Sequence, residues 1–224
     1  MTSVNFCPQP LRSSLRNLPA ALKSSIENHP EKNIIRAQLR QNVVLKGMSP
    51  SEIAELEPLL SVVDCQKGDS LLHQGVHDME QYFILQGILK RVVSDQDAKE
   101  MILRFADEQD METSYAAWRL GTVTPYGIVC LSKARIARMP LEDWAAFLST
   151  RSEAKASFEL LVMRGMSEIM AHTITLHLLD APGRVHRFSR KHPELVERIP
   201  QKELASYLNL SPETLSRLRH SGKV

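Results

Sequence analysis

Apolar positions recur along this chain with two different periods, and the change between them divides it. In the first half the pattern is short and strand-like. Gln66-Lys-Gly-Asp-Ser-Leu-Leu-His-Gln-Gly75 and Tyr82-Phe-Ile-Leu-Gln-Gly87 read as brief strands closed by glycine turns, with further strands predicted at Leu89 to Val93, Met101 to Phe105, Gly127 to Leu131 and Ala134 to Met139. Such a run predicts a small β-roll. From about Leu141 to Leu179 the spacing becomes three and four residues, carried by Phe158, Leu161, Val162, Gly165, Met166, Ile169, Thr173, Leu176 and Leu179, which predicts one long helix with a narrow apolar seam. A seam of that width suits pairing with a second copy, so Phe158 to Leu176 are the expected dimer interface, and packing on the roll is the competing use of the same stripe. Gly165 is expected to permit close helix approach. Ala181-Pro182-Gly183 then breaks the pattern, and Pro182 and Gly183 are the expected hinge. A helix begins at Arg184 with Val185 and Phe188 inward. Ahead of the roll, Ser49-Pro50-Ser51-Glu52 is a capping box opening a short helix to Leu60.

The C-terminus carries the most specific pattern. Leu204, Ala205 and Leu208 form one buried helical face, Asn209-Leu210-Ser211 breaks it, and Ser211 caps a second helix with Pro212 at its first position. Leu215 and Leu218 turn inward. Glu213, Thr214, Arg217 and Arg219 are left facing out, which makes a helix-turn-helix the reading and DNA the partner. Arg217 matches guanine O6 and N7 with two parallel donors, Glu213 can accept from cytosine N4, and Thr214, with the N–H groups of the helix start, suits phosphate. Ser211, Gln201 and Lys202 complete the expected DNA-binding set.

The order Glu-Leu-Ala-x-x-Leu-x-Leu-Ser-x-Glu-Thr-Leu-Ser-Arg in this tail resembles the DNA-binding end of the CRP/FNR (catabolite activator-like) transcription regulators. The resemblance covers about residues 45 to 224, strongly at the C-terminus and more loosely upstream. It implies a cyclic-nucleotide-binding-like roll, a homodimer about the long helix, an inverted-repeat DNA site, a small-molecule effector and RNA polymerase as a further partner. No residue of the sequence marks the last two. In that family the recognition helix usually begins Arg-Glu-Thr; here Pro212 replaces the Arg, while Glu213 and Arg217 keep their places. Many relatives continue into a β-hairpin wing, whereas this sequence stops at Val224. The fold class is therefore read as α+β: a β-roll sensor, a long dimerisation helix and a helix-turn-helix without a full wing. The expected boundaries are a flexible extension at 1–32, the roll at 33–140, the helix at 141–180 and the DNA-binding part at 181–224.

The pocket departs from the resemblance. Cyclic-nucleotide binders hold the phosphate on a Phe-Gly-Glu helix start and pair it with an Arg followed by small residues. The matching places here read Glu112-Thr113-Ser114 and Tyr126-Gly127-Ile128, so a phosphate would meet a carboxylate and find no guanidinium. Arg119 is the one substitute cation nearby. These residues are the candidate effector pocket, and cAMP is not its expected ligand.

Charge sharpens the division. Residues 181–224 hold nine Lys or Arg against four Glu, while the rest of the chain is slightly acidic, a split hidden in the overall +2. A basic tail is the footprint of phosphate contact. Cys7, Cys65 and Cys130 are too few for a four-thiolate iron–sulfur cluster. His73 and His77 fall in a turn region and offer only a weak case for haem, so no cofactor is expected. Nucleophile motifs, phosphate-cradling glycine loops and paired metal ligands are not found, and an enzyme has no support. Few cysteines suit a reducing cytoplasm, and no run of about 18 apolar residues suggests a membrane helix. Three readings stay open: an effector-responsive DNA-binding regulator, a constitutive one whose roll is only a scaffold, and an interaction module that keeps the fold without touching DNA.

Overall fold

The computed structural model describes residues 24–95, 97 and 100–220. In chain order its elements are β1 (Ser24–Ser25), α1 (Lys32–Gln41), α2 (Pro50–Leu56), β2 (Ser61–Cys65), β3 (Ser70–Leu72), β4 (Glu80–Gln86), β5 (Leu89–Ser94), β6 (Glu100–Ala106), β7 (Met111–Thr113), α3 (Tyr115–Arg119), β8 (Gly127–Cys130), β9 (Ala134–Pro140), α4 (Leu141–Ser149), α5 (Ser152–Leu178), α6 (Ala181–Lys191), α7 (Gln201–Tyr207) and α8 (Pro212–His220). The strands make two antiparallel sheets, ordered β1-β2-β9-β4-β7 and β3-β8-β5-β6. The predicted α+β fold with a β-roll is what forms.

Side-chain alternation along the strands sorts the apolar residues into three cores. In β4, Tyr82 and Ile84 point between the sheets, joining Leu89, Ile128 and Ile136, while Phe83 and Leu85 point out under the helices. That outer core takes α1 and α2 through Ile35, Leu39, Ile53 and Leu56, and α4 and α5 through Trp144 and Phe158. The other sheet turns Val92, Ile102 and Phe105 outward, and these pack beneath the C-terminal helices on Val185, Phe188, Leu204 and Tyr207. Both sheets are thus covered on both faces. The roll and the helix-turn-helix share one of the three cores.

Several expectations are corrected. Residues 24–31 are not a loose extension: Ser24 and Ser25 pair with β2, and Ile26 is buried in the helix-side core. Residues 1–23 lie outside the described part. The short helix opened by Ser49 has its capping box, with Ser49 N donating to Glu52 Oε2 at 2.8 Å and Ser49 Oγ accepting from Glu52 N at 3.3 Å. It stops at Leu56, and a 3-10 turn, Glu57–Leu59, follows.

The long helix is two. A break at Thr150 and Arg151 separates α4 from α5, and Arg151 closes it by donating to the Phe147 carbonyl at 2.6 Å while lying over the Phe147 ring. The break lets Trp144 of α4 and Phe158 of α5 meet edge to face at 5.4 Å in one core, which a straight rod would prevent.

The break between the helices also lies elsewhere than at the expected hinge residues. The chain turns at Leu179–Asp180, where Leu179 is extended, while Pro182 and Gly183 already lie in the first turn of α6. Pro182 fits there because it needs no N–H partner. Gly183 fits because its N–H donates to the capping Asp180 carboxylate at 2.9 Å, and a Cβ would sit 2.9 Å from that same oxygen.

Candidate nucleic-acid interface and roll interior

The helix-turn-helix forms as its residues predict. Leu204 and Ala205 of α7 and Leu215 of α8 are essentially inaccessible, and Leu218 closes the same face. Between the helices Asn209 takes φ 53°, the left-handed conformation that Asn tolerates, and Leu210 N donates to the Ala205 carbonyl at 2.9 Å. Ser211 Oγ accepts from Thr214 N at 3.1 Å and its hydroxyl donates to Thr214 Oγ1, so both hydroxyls serve the cap. Gln201 Nε2 donates to the Pro212 carbonyl at 3.2 Å and pins α7 to the start of α8. Of the expected DNA-binding residues, Lys202, Ser211, Glu213 and Arg217 are exposed, and Gln201, Thr214 and Arg219 are half-buried. The Glu213 carboxyl is held below the usual carboxylate range by the backbone N–H at the helix start and by the Ser211 hydroxyl. An outward row of polar side chains on α8 therefore stands on a rigid apolar base.

This unit is clamped to the roll. Lys90 of β5, itself buried, reaches Glu203 of α7 at 2.9 Å, and Arg198 reaches Asp107 at 3.1 Å and Glu108 at 2.7 Å. Glu108 also accepts from Gly87 N at 2.9 Å, which fixes its position on the roll. Between these ion pairs Tyr207 meets Phe105 at 5.1 Å and Phe188 at 5.6 Å. His172 of α5 stacks on the Tyr207 ring at 3.8 Å, nearly parallel, and its Nε2 lies 3.0 Å from the Tyr207 carbonyl. A carbonyl only accepts, so Nε2 carries the proton. Burial drives the His172 imidazole down to about 4, and Lys191, Arg187 and His192 push the same way. None of these contacts was foreseen. The signal available was the outward apolar set Val92, Ile102 and Phe105, which requires a cover that the roll does not supply.

Inside the roll Glu112, Thr113, Ser114 and Tyr126 of the candidate effector residues come together, with two arginines in addition. Arg91 and Arg104 are direct cross-strand partners on β5 and β6, on the face turned toward the opposite sheet. Glu112 projects from β7 into the same space, alongside its register partner Tyr82. Arg91 grips Glu112 Oε2 through two nitrogens, at 2.9 and 2.5 Å, and donates to the Thr113 carbonyl at 3.2 Å. Arg104 Nε lies 3.2 Å from Glu112 Oε1, and its Nη2 pairs with Asp110. The Arg91 guanidinium also lies over the Tyr126 ring at 4.2 Å, while Tyr126 OH donates to the Thr113 carbonyl at 2.8 Å. Ser114 and Thr124 hydroxyls are bonded at 3.2 Å.

Glu112, Thr113 and Ser114 are therefore bound to neighbours within the chain, and Gly127 opens β8 beside them. Arg119 is not a pocket cation: it lies at the end of α3 with Nη1 on the Tyr115 hydroxyl at 3.3 Å, and that hydroxyl donates to Glu159 of α5 at 2.9 Å. Arg91 and Arg104 were missed because two arginines on adjacent strands look solvated until the register sets them opposite each other.

The expected dimer residues divide by face. Phe158, Leu161 and Val162 enter the helix-side core, Gly165 lies against Arg104, and Ile169 lines a small cleft with Leu103 and Phe105. Leu176 is half-buried; Met166 and Thr173 are exposed. The outward stripe of α5 consists instead of Leu160, Met163, Met166, Met170, Ile174 and Leu178, each at least half exposed. A second apolar stripe at three and four residues therefore runs along the outer side of the helix.

His73 is half-buried and His77 exposed in the loop between β3 and β4, and among the described residues no three His, Cys, Asp or Glu gather as a metal site. Cys65 and Cys130 are buried free thiols; Cys7 lies outside the described residues. No described helix is long and apolar enough to cross a membrane.

Residues 62–151 match the cyclic nucleotide-binding domain family. The chain is 22% identical over 183 residues to the cAMP-activated global transcriptional regulator CRP of Pasteurella multocida, covering 76% of this chain and 88% of that protein. It is 22% identical over 185 residues to the CRP-like cAMP-activated global transcriptional regulator of Mycobacterium tuberculosis, covering 78% and 82%. Among solved structures, a CooA mutant from Carboxydothermus hydrogenoformans has a similar fold, with a TM-score of 0.65 at 14% identity over 81% of this chain and 84% of that one. Residues 62–151 thus form a cyclic nucleotide-binding domain, and over about three quarters of its length, roll and helix-turn-helix together, the chain is similar to CRP-like transcriptional regulators.

Proposed function

We propose that this protein is a sequence-specific DNA-binding transcription regulator that acts as a homodimer on an inverted repeat. The observation that carries the reading is the exposed face of α8, where Glu213 and Arg217 are open to solvent above the buried Leu215 and Leu218. A helix start with Ser211 and Thr214 offers N–H groups to phosphate, and Arg217 on the same helix is placed to read guanine. The relatives named above are transcriptional regulators, which supports the same reading.

Dimer formation is supported by the outward stripe of α5. Leu160, Met163, Met166, Met170, Ile174 and Leu178 form a seam with the three- and four-residue spacing of paired helices, and none of the described residues covers it. Two α8 helices related by a two-fold axis would meet half-sites about one helical turn, ~34 Å, apart. The roll is not a cAMP site in this reading, because a carboxylate, Glu112, sits where a cyclic phosphate would have to be held, and the arginines around it are already paired.

The test is selection of bound sequences from a randomised duplex pool, in a salt series, with wild type and Arg217→Ala. An inverted repeat that weakens with Arg217→Ala supports the reading. Salt-sensitive binding with no enriched motif, unchanged by the substitution, overturns it.

A further inference from the structure

The interior of a two-sheet roll is an expensive place for charge, and two arginines opposite each other on adjacent strands repel unless something anionic holds both. Glu112 does so from the facing sheet, with Asp110 taking a second nitrogen of Arg104, Nη2. Glu112 is 1% exposed and Arg91 7%. The cluster is thus two cations and two anions, closed above by the Tyr126 ring. Glu112 Oε2 is doubly bonded by Arg91, but Oε1 makes only an ionic contact with Arg104 Nε, not aligned as a hydrogen bond. One oxygen of this carboxylate is therefore held less well than the other.

We infer that the Arg91–Arg104 pair is an anion-binding site whose resident ligand is the protein's own Glu112 carboxylate, which bridges the two sheets and leaves the regulator independent of a small-molecule effector. The inference about the anion site stands on the cluster alone; its regulatory half rests on the DNA-binding reading above. The site also touches the long helix. Arg104 Nη1 would lie 3.2 Å from a Cβ at Gly165, so the guanidinium is seated directly on α5, one turn before Ile169 and two before His172, which stacks on Tyr207 of the helix-turn-helix. A change in what holds Arg104 would be felt there first.

Removing the carboxylate should expose the site to an external anion. The experiment is thermal unfolding of the full chain, wild type and Glu112→Ala, in chloride against acetate or inorganic phosphate at matched ionic strength. Glu112→Ala should melt lower than wild type and be restored saturably by acetate or phosphate, by about 3–6 °C at a tenfold excess over Kd, whereas wild type shows no anion-specific shift. If the alanine variant does not fold, Glu112→Ser, which also vacates the site, is put through the same titration with the same expectation.

The proposal is overturned if the variant responds to anions no more than wild type. It is also overturned if wild type is stabilised saturably by phosphate or cAMP, since an external anion would then be displacing Glu112. Wild-type DNA affinity that rises with phosphate or cAMP would overturn the regulatory half. The melting readout involves no DNA, so failure of the motif selection and failure of this proposal are separate results.

Discussion

Arg91 and Arg104 face each other across β5 and β6, and one carboxylate from the opposite sheet, Glu112, holds them both. Each partner is worth more for what its loss would leave than for the attraction it supplies, because desolvating the ions cancels most of the Coulomb gain. Removing Glu112 alone leaves the buried Arg91 without a carboxylate and the half-buried Arg104 with only Asp110. Glu112→Leu should therefore cost about 3–5 kcal/mol, and the combination with Arg91→Met and Arg104→Met should recover most of that loss. Denaturant unfolding of the single and triple variants checks the order; a triple variant less stable than the single would show that the ions contribute net stability.

Gly165 is where the cluster meets α5. An added methyl would come within 3.2 Å of Arg104 Nη1, a contact that the end of a long side chain can relieve by a few tenths of an ångström. Alanine also gains about 1 kcal/mol of helix propensity over glycine. Gly165→Ala is expected to stay within about 1 kcal/mol of wild type, whereas Gly165→Leu, which must evict the guanidinium, should cost about 1–3 kcal/mol. Equal melting temperatures for Ala and Leu would contradict this seating of Arg104.

His172 should make the contact between α5 and the DNA-binding unit sensitive to acid. Its folded value is depressed to about 4 by burial, against an ordinary value near 6.5. The unfolded or undocked form thus binds the proton more readily, so this contribution is fully present above about pH 6.5 and is lost as the pH falls toward about 4. The cations facing the ring, Arg187 and Lys191 with His192, act in the same direction. Hydrogen exchange of α7 should quicken between pH 6.5 and 4.5 relative to α1 after correction for intrinsic rates, and His172→Phe should flatten that difference. An unchanged profile in the variant would remove His172 from the account.

The clamp between roll and helix-turn-helix has a strong and a weak arm. Arg198 is partly exposed, and its pairing with Asp107 and Glu108 belongs to the class worth about 0–1 kcal/mol. Lys90 is buried, so Lys90→Ala leaves Glu203 beside an apolar surface and should cost more. Exchange protection in α6 and α7 is expected to fall further for Lys90→Ala than for Arg198→Ala. The reverse order would mean that the Tyr207 aromatic contacts carry the docking by themselves.

Phosphate and base contacts separate by salt. Lys202 is exposed at the start of α7 and Arg217 on the outer face of α8. Lys202→Ala should weaken binding to all duplexes alike and lower the salt slope by about one, whereas Arg217→Ala should cost about 1–3 kcal/mol at the selected site and relax its sequence. Affinity measurements on selected and scrambled duplexes at several salt concentrations distinguish the two.

The helix-turn-helix was legible in the sequence because every signal in it is local: an Asn able to turn left-handed, a Ser cap, Pro at the first helical position and leucines three apart. The strands of the roll were legible for the same reason, since glycine turns and alternation are read within a few residues. Local chemistry thus determined the fold class, the exposed polar face of α8 and the capping box at Ser49. Tertiary structure decided everything that depends on register or on which face meets what. Only pairing β5 with β6 sets Arg91 against Arg104, and only closing the sheets brings Glu112 to both. The apolar stripe of α5 could be counted along the chain, but its direction could not. A helix with apolar residues on two sides buries the one nearer Phe83 and Trp144, and the sequence does not say which that will be until the core around Phe158 is assembled.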